Sequence, residues 1–359
     1  KAIAEGGYEA EVKNAEGDST QQISQIQEFI DQEVSALIID PVDPYALTDI
    51  LETAKEKSIP VISYDTLIRN TAAVNYYACD DTRAIGKEVA GQIIKNMDLD
   101  KAREEKQSYT IEFLMGSTDD NGALFFCNGV LEKLQEYLDD GTLVCKSGNM
   151  TFDSTGILRW DQDAAQAKMK SILDEFYQEE KTPNIIITAS DEFAIGVQEL
   201  LEERGILSDS EEWPVITGYG SEMQAVKDVA EGKITLTTYL DRKELAQGGA
   251  KMALDYLAGE KVDVKDYSQY DNGTKIVGTF TCGAQLIDKD NYQILVDNGT
   301  YDEEEIKPDP TPTATPEPTS TPEPTLTPEV TSDPEATITP KATVTPTASG
   351  TPAATDKTI

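Results

Sequence analysis

Short acidic turns mark the places where this chain could do chemistry: Asp40, Asp65, Asp80, Asp119 and Asp191 each follow an apolar or β-branched run. Carboxylates so placed can cap the helices that follow, or accept hydrogen bonds from something held beyond the strand ends. Composition removes much of the rest. The 359 residues include no histidine, which excludes Ser-His and Cys-His nucleophile pairs and leaves metal binding to carboxylates and cysteines. Cys79, Cys127, Cys145 and Cys282 are far apart, lack CxxC spacing and lie in or beside apolar runs, so they read as buried free thiols; no metal or cofactor is expected. Gly218-Tyr219-Gly220 lacks the further glycines of a phosphate loop. A net charge of −37 without a visible basic patch argues against nucleic acid or an anionic membrane surface as partner.

Those turns need a scaffold, and the sequence writes it twice. Ala36-Leu-Ile-Ile-Asp-Pro, an amphipathic run to Lys57, and Ile59-Pro-Val-Ile-Ser-Tyr-Asp65 form one pattern. Asn184-Ile-Ile-Ile-Thr-Ala-Ser-Asp191, a helical run to Arg204, and Trp213-Pro-Val-Ile-Thr-Gly-Tyr-Gly220 form the other. A β-branched run, an acidic turn opening a helix, and a second run entered through proline make a βαβ unit with parallel strands. Two such units predict two similar α/β lobes of parallel sheet covered on both faces.

Along the chain, Lys1-Ala-Ile-Ala-Glu-Gly-Gly reads as the end of a helix with a glycine cap, followed by a strand Tyr8 to Asn14, so further residues, a signal sequence included, are expected ahead of Lys1. Asp18 opens a helix with Ile23, Ile26, Phe29 and Ile30 at helical spacing. The strand Val74 to Cys79 and a helix Arg83 to Met97 complete the first lobe, and the polar stretch Leu99 to Ser108 leads into the second. No run reaches the length and apolarity of a membrane-spanning helix. From Pro308 the composition turns to Thr, Pro, Glu and Ala; such a tail cannot bury a core and is expected to be disordered, a spacer of over ~100 Å if extended.

Several motifs together resemble the type I periplasmic sugar-binding proteins of ABC transporters, above all the multiple-sugar and xylose group. They are Tyr64-Asp-Thr-Leu-Ile-Arg-Asn70, Tyr76-Tyr-Ala-Cys-Asp-Asp81, Gly116-Ser-Thr-Asp-Asp-Asn121, Gly156-Ile-Leu-Arg-Trp-Asp161 and Asn291-Tyr-Gln-Ile-Leu-Val-Asp-Asn-Gly299, in the family's order. The resemblance implies two doubly wound lobes joined by a multi-crossing hinge, residues 1–107 plus 242–275 and residues 108–241 plus 276–307, with 308–359 as the tail. It implies a monomer that is not an enzyme. The family places a sugar between the lobes, and closure of the hinge presents it to a permease. It also places its first strand inside the first sheet, in the order 2-1-3-4-5. Lys1 falls in the helix after that strand, so a gap is expected beside the strand at Ala36, with instability as its consequence.

Carried over residue by residue, the resemblance implies ligand contacts at Asp80, Asp81, Asp120, Asn121, Arg159, Trp160 and Asp191, with Tyr219 as a new aromatic surface. Asp81 stands where the family has Asn or Arg, which swaps a donor for an acceptor. Four positions depart further: Thr66 for arginine, Ser190 for asparagine, Gly220 for aspartate and Leu240 for lysine or glutamine. Two lost polar contacts at about 1 to 3 kcal/mol each could abolish micromolar binding of an ordinary aldose, so the ligand differs or the site has decayed. Asp43, Asp80 and Asp191 also suit plain helix caps, and Trp160 suits a core. A surface-displayed or sensory sugar-binding module, partnered by a sensor kinase, is the alternative to transport. A glycoside hydrolase would need two carboxylates about 5 to 10 Å apart with different pKa values. A repressor would need a helix-turn-helix, and none precedes the lobes in this sequence.

Overall fold

The computed structural model describes residues 1–308. In chain order its strands are β1 (Leu37–Ile39), β2 (Val61–Tyr64), β3 (Val74–Asp80), β4 (Tyr109–Leu114), β5 (Leu143–Val144), β6 (Ile185–Thr188), β7 (Val215–Thr217), β8 (Leu236–Leu240), β9 (Gly278–Cys282) and β10 (Ala284–Asp288). They form a first sheet in the order β1-β2-β3-β9 and a second in the order β10-β8-β7-β6-β4-β5. Every pairing is parallel except that of β10 with β8. Both sequence repeats fold as βαβ units, through the helices Thr48–Glu56 and Asp191–Glu203. Ile185, Ile186, Ile187 and Thr188 are all buried, as a parallel strand covered on both faces requires.

The expected strand at Tyr8 to Asn14 does not form. Those residues pair with no other strand, and Val12 is 89% exposed. Extended backbone becomes a strand only when a neighbour completes its ladder, and β1 has its one neighbour in β2. The segment is held instead by Gln21 and Gln25, whose amides donate to the Asn14 carbonyl at 3.3 and 2.9 Å.

Packing also changes hands earlier than expected. The helix Thr82–Asn96 buries Ile85, Val89, Ala90 and Ile93 in the core of the second sheet, with Phe113, Phe126 and Val130. The two helices meet at glycines: a Cβ on Gly86 would fall 2.3 Å from the Phe126 carbonyl oxygen, and one on Gly129 would fall 2.1 Å from that of Arg83. The chain therefore passes between sheets at Asp80–Thr82, not between Leu99 and Ser108. It returns at Leu240–Arg242, and the helix Arg242–Ala258 packs on the first sheet through Leu245 and Met252. The last passage is at Gly283, later than the boundary at 276, because β9 pairs with β3 and Cys282 packs with Ile62 and Ala78. The three passages lie together: the Asp81 N–H donates to the Cys282 carbonyl at 2.7 Å, and Leu240 is in register with Ala284.

All four cysteines are free; Cys79, Cys127 and Cys282 are buried and Cys145 is half-buried. Burial pushes the Cys127 and Cys145 thiols up to about 11, which leaves little thiolate at neutral pH. The Thr/Pro/Glu-rich segment, apart from Pro308, lies outside the described residues.

Candidate functional site

The first lobe offers its carboxylates at the ends of β2 and β3. Asp65, at φ +59, begins a tight turn in which the Thr66 N–H donates to the Tyr64 carbonyl at 2.7 Å and the Tyr77 hydroxyl donates to the Asp65 carbonyl at 2.5 Å. Asp80 ends β3 and is only 4% exposed. Arg242 enters from the hinge in the first turn of the helix Arg242–Ala258, whose N-terminus Asp241 caps. Its Nη1 lies 3.1 Å from Asp65 Oδ1 and 3.5 Å from Asp80 Oδ2. Asp80 Oδ1 is buried with no hydrogen-bond partner. Burial raises the Asp80 carboxyl to about 7; Arg242 opposes that rise, while Asp65 and Glu244 add to it. Asp40 moves in the same direction through the crowding of its surroundings and the Asp65 charge, although its side chain still meets solvent, which screens it.

The second lobe contributes the loop after β4. Asp120 caps the helix Asn121–Asp139, accepting from the Gly122 N–H at 2.7 Å. Burial raises its carboxyl, the Gly122 N–H opposes this, and the charge of Asp65 from the other lobe adds to it. Asn121 Oδ1 lies 3.5 Å from Nη1 of Arg69, which also donates to the Asp271 carbonyl at 2.9 Å, so side chains of the two lobes meet here. Ser117 Oγ donates to Asp119 and accepts the Arg159 N–H at 2.6 Å. Arg159 and Trp160 adopt left-handed φ of +60 and +55. Their turn lays the Trp160 ring on Gly116, where a Cβ would be 2.0 Å from a ring carbon. Phe193 backs the indole at 6.1 Å, and the ring remains half-exposed.

Tyr219 packs edge-on against Phe126, with ring centroids 5.3 Å apart. Burial raises its phenol first, and Asp80, Asp65 and Asp120 add to the rise while Arg242 opposes it, so it is a neutral hydroxyl near all of these charges. Asp191 stands apart. It is fully buried, with Oδ1 accepting from the Thr237 hydroxyl at 2.6 Å and Oδ2 from the Glu222 N–H at 2.6 Å. Gly218 makes the space, since a Cβ there would be 2.1 Å from Asp191 Oδ1. Ser190 caps the helix that Asp191 begins, and Asp81 caps the helix Thr82–Asn96. Leu240 is 5% exposed and belongs to the second core.

The charges of Asp80 and Asp120 thus both reach Tyr219, while Asp191 is absorbed into the second lobe. Arg242 and Arg69 are the additions. Arg69 lies inside the motif Tyr64 to Asn70, and Arg242 follows β8 at a passage between sheets, so position was the available signal. Two surface hollows of about 350 and 410 Å³, lined by residues such as Arg103 and Thr142, and Val34 and Ile59, lie ahead of β4, β5, β1 and β2. Ligands of parallel sheets sit at the other strand ends, where the carboxylates are. Among the described residues no acidic or cysteine group has metal-site geometry.

The sequence profile of a family described as a periplasmic binding protein domain matches residues 1–261. This chain belongs to that family. The multiple sugar-binding periplasmic receptor ChvE of Rhizobium radiobacter is 33% identical over 308 residues, 86% of each chain. The multiple sugar-binding periplasmic protein SbpA of Azospirillum brasilense is 34% identical over 302 residues, 84% of this chain and 83% of that one. An ABC transporter solute binding protein from Clostridium phytofermentans, solved with bound β-D-glucose, superposes with a TM-score of 0.77 at 32% identity, covering 85% of this chain and 92% of that one. In this periplasmic binding protein the carboxylates of the first lobe and the Trp160 turn of the second therefore lie at the strand ends of two lobes connected by three adjacent passages.

Proposed function

We propose that this chain is an extracytoplasmic receptor that binds a sugar between its lobes as a monomer and presents it to an ABC permease by hinge closure. The observation that carries this reading is the buried Asp80 Oδ1, left without a donor at the end of β3. A buried acceptor without a partner costs about 1 to 3 kcal/mol, and a ligand hydroxyl would remove that cost. Arg242 and Asn121 supply donors, Asp65 and Asp120 further acceptors, and the indole of Trp160 a face for the C–H side of a ring. The relatives named for multiple sugars and the related glucose complex support a monosaccharide such as a hexose as ligand.

Calorimetry against a panel of mono- and disaccharides tests this. One or more should bind at micromolar Kd, with a decrease in radius of gyration by small-angle scattering as the lobes close; silence across the panel would sink the reading. Trp160→Ala should weaken binding about tenfold, since an aromatic face contributes about 0.5 to 1.5 kcal/mol.

A further inference from the structure

We infer that Arg242 is a ligand-contacting residue of this site and sets its specificity, by donating from the hinge to the same sugar hydroxyl that donates to Asp80. The inference rests on the sugar-binding reading above. Arg242 is 58% exposed and engages protein acceptors only through Nη1, at Asp65 Oδ1 and near Asp80 Oδ2. Its Nε and Nη2 make no hydrogen bond to the protein among the described residues. Next to this partly used donor lies the unused acceptor, Asp80 Oδ1, on a side chain 4% exposed. A free donor beside a free acceptor matches a hydroxyl, which accepts with its lone pairs while it donates its proton; an ether or carbonyl oxygen satisfies only half of that pair. The fork of a guanidinium can further span two neighbouring oxygens, which favours a vicinal diol.

The placement gives the residue a second consequence. Arg242 stands at the Leu240–Arg242 passage, beside the passages at Asp80–Thr82 and Gly283, so a ligand held by it is bonded to the hinge as well as to a lobe. Leu240, two residues earlier, is buried in the second core and cannot do this. The ion pair with the partly exposed Asp65 contributes little to folding, whereas the contact with buried Asp80 does matter to stability, so the variant's melting temperature is recorded beside its affinity.

The test is calorimetry on the full chain with the sugar that binds most tightly and its monodeoxy analogues. Arg242→Ala should weaken binding on the order of tenfold to a hundredfold, as loss of a charged hydrogen bond does, while Arg242→Lys recovers part of it. Lys251→Ala, on the exposed side of the same helix, should leave affinity within about twofold, the scatter expected of a distant surface site. One deoxy analogue should lose affinity in the native chain and lose no more in Arg242→Ala, a coupling that a purely structural role would not produce. Binding by Arg242→Ala within about twofold of the native chain, or no such coupling for any analogue, overturns the inference and leaves sugar binding intact. Failure of the native chain to bind any sugar overturns both.

Discussion

Gly220 has a φ of +131, in a region that side-chain-bearing residues rarely enter, and its absent Cβ faces Asp191 Oδ2 at 3.6 Å. An aspartate there would meet strain of about 1 to 3 kcal/mol and a second carboxylate nearby. Gly220→Asp should therefore lower the melting temperature by several degrees in differential scanning calorimetry, and an unchanged melt would show that the backbone relaxes freely. Asp191 reports on the same loop. Asp191→Ala leaves the Thr237 hydroxyl and the Glu222 N–H without their acceptor, at a cost of about 2 to 4 kcal/mol, readable as a fall in denaturant midpoint at constant slope. At this scale the sequence was half legible. Asp80, Asp120 and Tyr219 could be picked out because acidic and aromatic residues after strands point to the strand ends. The fate of Asp191 could not, because it depends on Gly218 leaving room for a carboxylate to turn inward. Arg242 was passed over because a residue that bridges β2, β3 and the hinge has no local pattern of its own.

Elements were easier to read than their partners. Periodicity shows which face of Thr82–Asn96 is apolar, but not which sheet that face covers. The decision is made by Gly86 and Gly129, which let this helix and Asn121–Asp139 approach backbone to backbone, so that Ile85, Val89 and Ile93 reach the second core. Gly86→Ala should force the helices apart and cost about 1 to 3 kcal/mol, the usual penalty of overpacking, although alanine is the better helix former. A stability equal to that of the native chain in urea unfolding would contradict the close contact. The β9 boundary was misplaced for a related reason: Val277 to Cys282 reads as an apolar strand wherever it lies, and only its pairing with β3 assigns it to the first sheet. Tyr8 to Asn14 likewise has a strand's composition without a ladder partner among the described residues.

At the scale of the whole molecule, the acidic character of the chain predicts a pH response. Burial raises Asp80, facing Arg242, Asp65 and Glu244, and Asp191, facing Thr237, Glu222 and the Tyr219 backbone, to about 7 each. It raises Asp228, among Gln224, Lys233, Glu231 and Gln198, to about 6. In the unfolded chain such groups titrate near 3.8. Between about pH 4 and 7 the folded protein therefore holds more protons than the unfolded chain, and stability falls as pH rises through that window and then levels off. Carboxyls lowered by their partners act the other way: Glu132 beside Arg83 and Lys87, and Asp174 beside Lys170 and Arg204, lose their contribution as pH falls below about 4 to 4.5, where free carboxylates protonate. Self-repulsion from a net charge of −37 also eases on acidification. The melting temperature should thus rise by several degrees from pH 8 to pH 5.5 and fall again below about pH 4, and Asp80→Asn should flatten the upper limb. Sugar affinity should move oppositely to stability over pH 5.5 to 8, because the ionised Asp80 is the stronger acceptor for a ligand hydroxyl. Parallel titrations of melting temperature and Kd would decide this, and a flat affinity across that range would show that ionisation of Asp80 does not govern binding.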